Sequence, residues 1–110
     1  MELTGKQKRH LRSLGQRLEP AVTVGKAGLS DAAIANLSRL LDQHELVKVR
    51  IPAGSADDRD LMGMELAQKT ASACANVLGR TVLLFRANPK LAKPIALPGG
   101  PDGPEADQEE

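Results

Sequence analysis

The sequence predicts an α+β fold. Its elements follow in the order α-β-α-β-α-β-β in a single domain, with a four-stranded sheet backed by helices on one face. Three observations carry this expectation. The chain has 110 residues, enough for one core and not two. Apolar residues recur at helical spacing in three segments and alternate or run together in four shorter ones. Phe85 is the sole aromatic, with no Trp or Tyr, so the core must be built from Leu, Val, Ile, Ala and Met.

Residues 4–17 read as the first helix. Thr4 and Gln7 have capping-box spacing, and Leu11, Leu14 and Leu18 fall on one stripe. Lys6, Arg9, Arg12 and Arg17 then point away from that stripe, giving the helix a basic outer face. Pro20 ends it, and residues 21–24 read as a short strand. The second helix opens at Ser30, a good N-cap, with Asp31 in its first turn and Ile34, Leu37, Leu40 and Leu41 as its apolar face. Residues 46–51 alternate, with Val47, Val49 and Ile51 on one side and Leu46, Lys48 and Arg50 on the other. That is the pattern of a half-buried strand with a basic exposed face.

Residues 52–56 form a loop, and the third helix starts at about Asp57. Its expected stripe is Leu61, Met64, Ala67, Ala71 and Cys74, with Gly63 as a weak point. Residues 76–78 and 81–85 read as two strands joined by a two-residue hairpin turn at Gly79-Arg80.

The formal net charge of +1 conceals an uneven distribution. All fifteen basic residues lie between Lys6 and Lys93, while nine acids precede residue 99 and five follow it. The body therefore carries a surplus of six positive charges and the remainder five negative ones. A basic body favours a polyanionic partner, because Lys and Arg on phosphates release condensed counterions. Residues 98–110 read PGGPDGPEADQEE, with Asp102, Glu105, Asp107, Glu109 and Glu110 and almost nothing to bury. This is expected to be a disordered acidic tail. Most such tails only aid solubility, and a minority compete with nucleic acid for their own domain.

Gly25-Lys26-Ala27-Gly28 lies between a strand and a helix start. Glycine lets a backbone come close to another chain, free N–H groups at a helix start attract anions, and Lys26 adds a cation at the tip. KH domains clamp a nucleic-acid backbone with a GxxG loop. So short a pattern also serves as an ordinary turn, and a second copy falls at 100–103 in the tail. It is no P-loop, lacking G-x-x-x-x-G-K-[ST], and no dinucleotide fingerprint, lacking the third glycine.

Residues 3–12 (LTGKQKRHLR), Leu18-Glu19-Pro20, residues 24–29 (VGKAGL), 44–49 (HELVKV) and 79–86 (GRTVLLFR) together resemble the CRM domain, named for chloroplast RNA splicing and ribosome maturation. Its bacterial single-domain members are called YhbY-like. The resemblance spans residues 3 to about 97 in the family's order. It implies a CRM domain over 1–97, followed by the tail at 98–110, with a fold similar to the C-terminal domain of a bacterial translation initiation factor. It also implies RNA binding through the loop and neighbouring basic surface, and association with precursors of the large ribosomal subunit. The RNA-binding candidates are Gly25, Lys26, Ala27 and Gly28, joined by Lys6, Arg9, Arg12, Lys48, Arg50, Arg80 and Arg86. Two departures stand out: Phe85 occupies a position where a Tyr is common, and the acidic stretch after Pro98 is an addition.

An enzyme is not expected. His10 reads as an exposed bystander, and His44 as a residue suited to a helix C-terminus. Asp57, Asp58 and Asp60 read as helix-start acids and not as a metal site. Cys74 stands alone, without a disulfide or zinc partner, and reads as a small buried hydrophobe. No metal, cofactor or small-molecule substrate is expected. No apolar run approaches the roughly 20 residues of a membrane span, so a cytoplasmic protein is expected; it is expected to be a monomer, and the resemblance implies ribosomal RNA as its partner. The alternative is an adaptor whose basic face meets an acidic protein.

Overall fold

Seven elements follow one another in the computed structural model, which describes residues 2–25, 29–52 and 56–98. They are α1 (Gly5–Gly15), β1 (Val22–Thr23), α2 (Asp31–His44), β2 (Leu46–Arg50), α3 (Ala56–Thr70), β3 (Ala73–Leu78) and β4 (Thr81–Phe85). The strands form one mixed sheet in the order β1-β2-β4-β3, with β1 parallel to β2 and the other pairs antiparallel. The α+β class, the order of elements and the four-stranded sheet are as the sequence predicts. The acidic stretch after Pro98, expected to be disordered, lies outside the described residues.

The placement of the helices needs correction: they cover both faces of the sheet. On one face α2 and α3 bring Leu37, Leu41, Leu66 and Ala67 onto Val22, Val47, Val49, Val82 and Leu84. On the other, α1 brings Leu11 onto Leu46, Ala75, Leu83 and Phe85, with Leu97 completing the cluster. The physical reason lies in β4, whose Val82, Leu83, Leu84 and Phe85 are all buried. A strand with four apolar residues in succession demands cover on both sides. Leu46 is accordingly buried, so the second face of β2 is basic only from Lys48 onward.

Helix α1 starts as expected, with the Thr4 hydroxyl accepting from the Gln7 amide (3.1 Å) and Gln7 Oε1 accepting from the Thr4 amide (3.0 Å). Its packed stripe is Gln7, Leu11 and Gly15, not Leu11, Leu14 and Leu18. The helix stops at Gly15, and Leu14 and Leu18 are 38% and 36% exposed. Gly15 lets the helix end settle on the sheet: a Cβ there would lie 2.7 Å from Leu83 Cδ2. Helix α2 has the Ser30 cap, its hydroxyl accepting from the Ala33 amide at 3.1 Å.

Helix α3 also buries a different stripe from the expected one. Gly63, Leu66, Ala67 and Thr70 face inward, while Leu61 and Met64 are 62% and 65% exposed. The helix ends at Thr70, so Ala71 and Cys74 are not helical; Cys74 belongs to β3, which starts three residues earlier than expected. The Gly79-Arg80 hairpin is present, with Leu78 opposite Thr81 and a positive φ at Gly79 alone, as a type II′ turn requires. Within β3, Cys74 pairs with Leu84 and Asn76 with Leu83, leaving Ala75 as the extra residue of a bulge.

Glu45, alone between α2 and β2 at φ +65°, ties down the chain after β4. Its buried carboxylate accepts from the amides of Asn88 and Ile95, both at 2.7 Å, and its carbonyl accepts from the Arg86 amide at 2.8 Å. Gln7 Nε2 then donates to the carbonyl of Pro98 (3.2 Å), holding the end of this segment against the first turn of α1.

Candidate nucleic-acid interface

Strand register gathers the cationic candidates. Because Leu46 faces α1, alternation along β2 turns Lys48 and Arg50 to the same face. Two cross-strand rows result. Lys48 lies opposite Leu83, and Leu83 opposite Asn76; Arg50 lies opposite Thr81, and Thr81 opposite Leu78. Helix α1 ends above Leu83, so it covers the first row only at its centre. Arg12, Gly15, Gln16, Lys48, Asn76, Leu78, Thr81 and Leu83 line a cleft there that contains two cations and no carboxylate. The second row lies beyond the helix and continues through β1, where Thr23 is the partner of Arg50.

The bulge contributes directly to this cleft. With Ala75 as an extra residue, Asn76 is re-aimed onto the α1 face beside Lys48 instead of falling on the opposite one. Asn76 and Thr81 are polar groups of the cleft that sequence reading missed. No local pattern marks them, because their position depends on the register of three strands.

One end of the sheet holds the remaining pieces. The Val24 amide donates to the Arg50 carbonyl, and the Ile51 amide to the Arg80 carbonyl, both at 2.8 Å. Gly25, Arg50 and Arg80 are thereby brought side by side, all exposed. Lys26, Ala27 and Gly28 lie outside the described residues. At Gly25 a Cβ would meet nothing within 4 Å, and φ is not positive. Neither packing nor conformation inside the domain requires glycine there. Arg9 and Lys6 lie on α1 roughly 5 and 9 Å along its axis from Arg12, Arg9 exposed and Lys6 half-buried.

Arg86 is placed elsewhere. Its Nη1 donates to Ser38 Oγ (3.1 Å) and to the Thr70 carbonyl (2.7 Å), and its Nη2 to the Ser38 carbonyl (2.6 Å) and Asp42 Oδ1 (2.7 Å). The guanidinium fastens the end of β4 to α2 and α3, on the far side of the sheet from Arg12 and Lys48. Its role is structural.

Other chemistry finds little support. Among the described residues no three His, Cys, Asp or Glu side chains gather as metal ligands. Burial pushes the Cys74 thiol above its ordinary range, with a lesser opposing influence from hydrogen bonding at Asn76, so it stays protonated at neutral pH. His44 is exposed in the last turn of α2 and His10 is half-buried on α1.

The geometry agrees with what known proteins of this kind are called. The "Probable RNA-binding protein PA4753" of Pseudomonas aeruginosa is 35% identical over 96 residues, 87% of this chain and 92% of that one. The "Probable RNA-binding protein YqeI" of Bacillus subtilis is likewise 35% identical over 96 residues, covering 87% and 99% of the two chains. A Haemophilus influenzae protein named "RNA-binding protein" is 30% identical over 84 residues, covering 76% and 85%. Among solved structures, that of the Staphylococcus aureus protein SAV1595 superposes with a TM-score of 0.78 at 35% identity, covering 88% of this chain and all of that one. The CRS1 / YhbY (CRM) domain model matches residues 3–86, and the chain belongs to that family.

Proposed function

We propose that the protein is a non-catalytic RNA-binding module whose ligand is ribosomal RNA in precursors of the large ribosomal subunit. The observation that carries the reading is the carboxylate-free Arg12–Lys48 cleft running into the exposed Arg50 and Arg80 beside Gly25. Such a row of cations suits a phosphate backbone, with the Asn76 amide as a neutral donor to phosphate or ribose; the Thr81 hydroxyl, whose proton goes to the Leu78 carbonyl at 2.8 Å, offers its oxygen as an acceptor for a ribose 2′-OH. Gly25 adjoins the cationic end of the sheet, and on this reading the Gly25-Lys26-Ala27-Gly28 sequence that begins there supplies the close backbone approach. With a single buried aromatic, stacking contributes nothing, and selectivity comes from RNA shape. Relatives named as RNA-binding proteins support the ligand class, and the CRM resemblance supports its ribosomal source. On this reading the protein works as a cytoplasmic monomer without a cofactor.

Crosslinking the protein to RNA in ribosomal precursors, followed by mapping of the joined residues and nucleotides, tests the proposal. Crosslinks from the 25–28 loop, Arg12, Lys48 and Arg50 to large-subunit RNA are expected. Co-sedimentation with ribosomal particles that survives complete RNA digestion would instead establish an adaptor that binds protein.

A further inference from the structure

The acidic residues 99–110 are not used by the RNA-binding reading, and the structure fixes where they begin. Gln7, 1% exposed in the first turn of α1, holds the carbonyl of Pro98. The next residue starts the stretch with Asp102, Glu105, Asp107, Glu109 and Glu110. The surface immediately beside that point is α1, whose eleven residues include Lys6, Lys8, Arg9 and Arg12 and no acid. Beyond its far end lies the Arg12–Lys48 cleft.

We propose that residues 99–110 act as an internal RNA mimic, lying along α1 toward the Arg12–Lys48 cleft and competing there with RNA phosphates. The inference rests on the RNA-binding reading of that cleft. Reach, direction and charge support it. A helix of eleven residues is about 16 Å long, and a Gly/Pro-rich stretch of twelve has a root-mean-square span of roughly 20 Å. From an anchor at Gln7 the five carboxylates therefore cover α1 and the cleft. The cation surplus of six on the body faces a deficit of five on the stretch, and the helix N-terminus beside the anchor adds a positive dipole.

The strength follows from the tether. A short linker sets an effective concentration of a few millimolar, and a contact with a dissociation constant of about one millimolar then leaves roughly a fifth to a third of the molecules open. Apparent RNA affinity falls by the same factor, about three- to fivefold. Salt near physiological strength screens exposed charges beyond about 8 Å, which removes most of the effect.

The test compares three proteins by fluorescence anisotropy with one labelled fragment of large-subunit RNA: the full chain, the chain ending at Pro98, and the full chain with D102N, E105Q, D107N, E109Q and E110Q. The second and third are expected to bind about three- to fivefold more tightly than the first at low salt and equally at high salt. Amide NMR spectra of the full and shortened chains, recorded without RNA, should differ at Lys8, Arg9 and Arg12 and not at Arg80. Equal low-salt affinities, or superimposable α1 amides, would overturn the proposal while leaving RNA binding intact. If none of the three binds RNA, the reading of the site falls, and the α1 amides still decide whether the acidic stretch occupies it.

Discussion

Replacing Arg86 separates cations that hold the fold from cations that meet a ligand. Its guanidinium makes four hydrogen bonds to α2 and α3, and its side chain is 22% exposed. The Asp42 carboxylate is 69% exposed, so that ion pair contributes little. The stabilisation comes from the carbonyls of Ser38 and Thr70, for which a charged donor is worth about 1.5–3 kcal/mol each. R86M, which removes every donor, is expected to cost about 3 kcal/mol. R86K keeps the charge but not the planar fork, reaches one carbonyl, and should cost about half as much. At about 5 °C per kcal/mol for a domain of this size, the melting temperature falls by roughly 15 and 8 °C. Urea denaturation reads the stability, and a salt titration of RNA binding reads the phosphate contacts. Removing one cation from a phosphate lowers the slope of log K against log salt by about 0.7 to 0.9, or about threefold in affinity ratio between 50 and 200 mM salt. Both variants should keep the wild-type slope under conditions where they are folded. A slope reduced by nearly one in R86M with an unchanged denaturation midpoint would refute the structural assignment.

The converse holds for R12Q and K48Q, each expected to lower the salt slope by about 0.7 to 0.9 while shifting stability by less than about 0.5 kcal/mol; unchanged slopes in both would remove the cleft from the interface. G25A should leave the denaturation midpoint unchanged, because a Cβ there meets nothing, whereas G25L should weaken RNA binding by blocking backbone approach; equal affinity of G25L and wild type would exclude close approach at that position. E45Q leaves one of the Asn88 and Ile95 amides without an acceptor and should cost about 2 kcal/mol. Hydrogen exchange at those two amides should accelerate with it, and unchanged protection would show that the segment after β4 is held by other contacts.

Local signals make α1's start, α2 and the hairpin legible in the sequence. A capping box, a Ser N-cap and a two-residue turn with glycine at its first position each act within a few residues. The stripes of α1 and α3 differ from the expected ones because their packed faces include Gly15, Gly63 and Thr70. Two glycines are buried for their small size, and Thr70 is buried because its hydroxyl donates to the Leu66 carbonyl at 2.7 Å. Hydropathy periodicity scores none of them. The second covering layer is legible in principle from the unbroken apolar run of β4. Arg86 cannot be assigned from sequence, since its four acceptors come from α2 and α3, 16 to 48 residues away. The cationic character of the candidate interface is legible, but its assembly is not, because Arg12, Lys48 and Asn76 meet only through strand register and a bulge.

The two margins of the sheet bear on how this chain behaves in a crowded solution. An open strand edge is a template on which a second sheet can continue, and long straight edges invite association. Here one margin is β1, only two residues long, and the other is β3, bent at Ala75. Neither offers a straight run of unpaired amides and carbonyls for another molecule. The same kink that turns Asn76 toward Lys48 is therefore expected to disfavour edge-to-edge pairing with a second molecule. Removing Ala75 would straighten the margin and bring sedimentation profiles that shift with concentration. A single inserted residue thus both re-aims Asn76 and breaks the straight edge of β3.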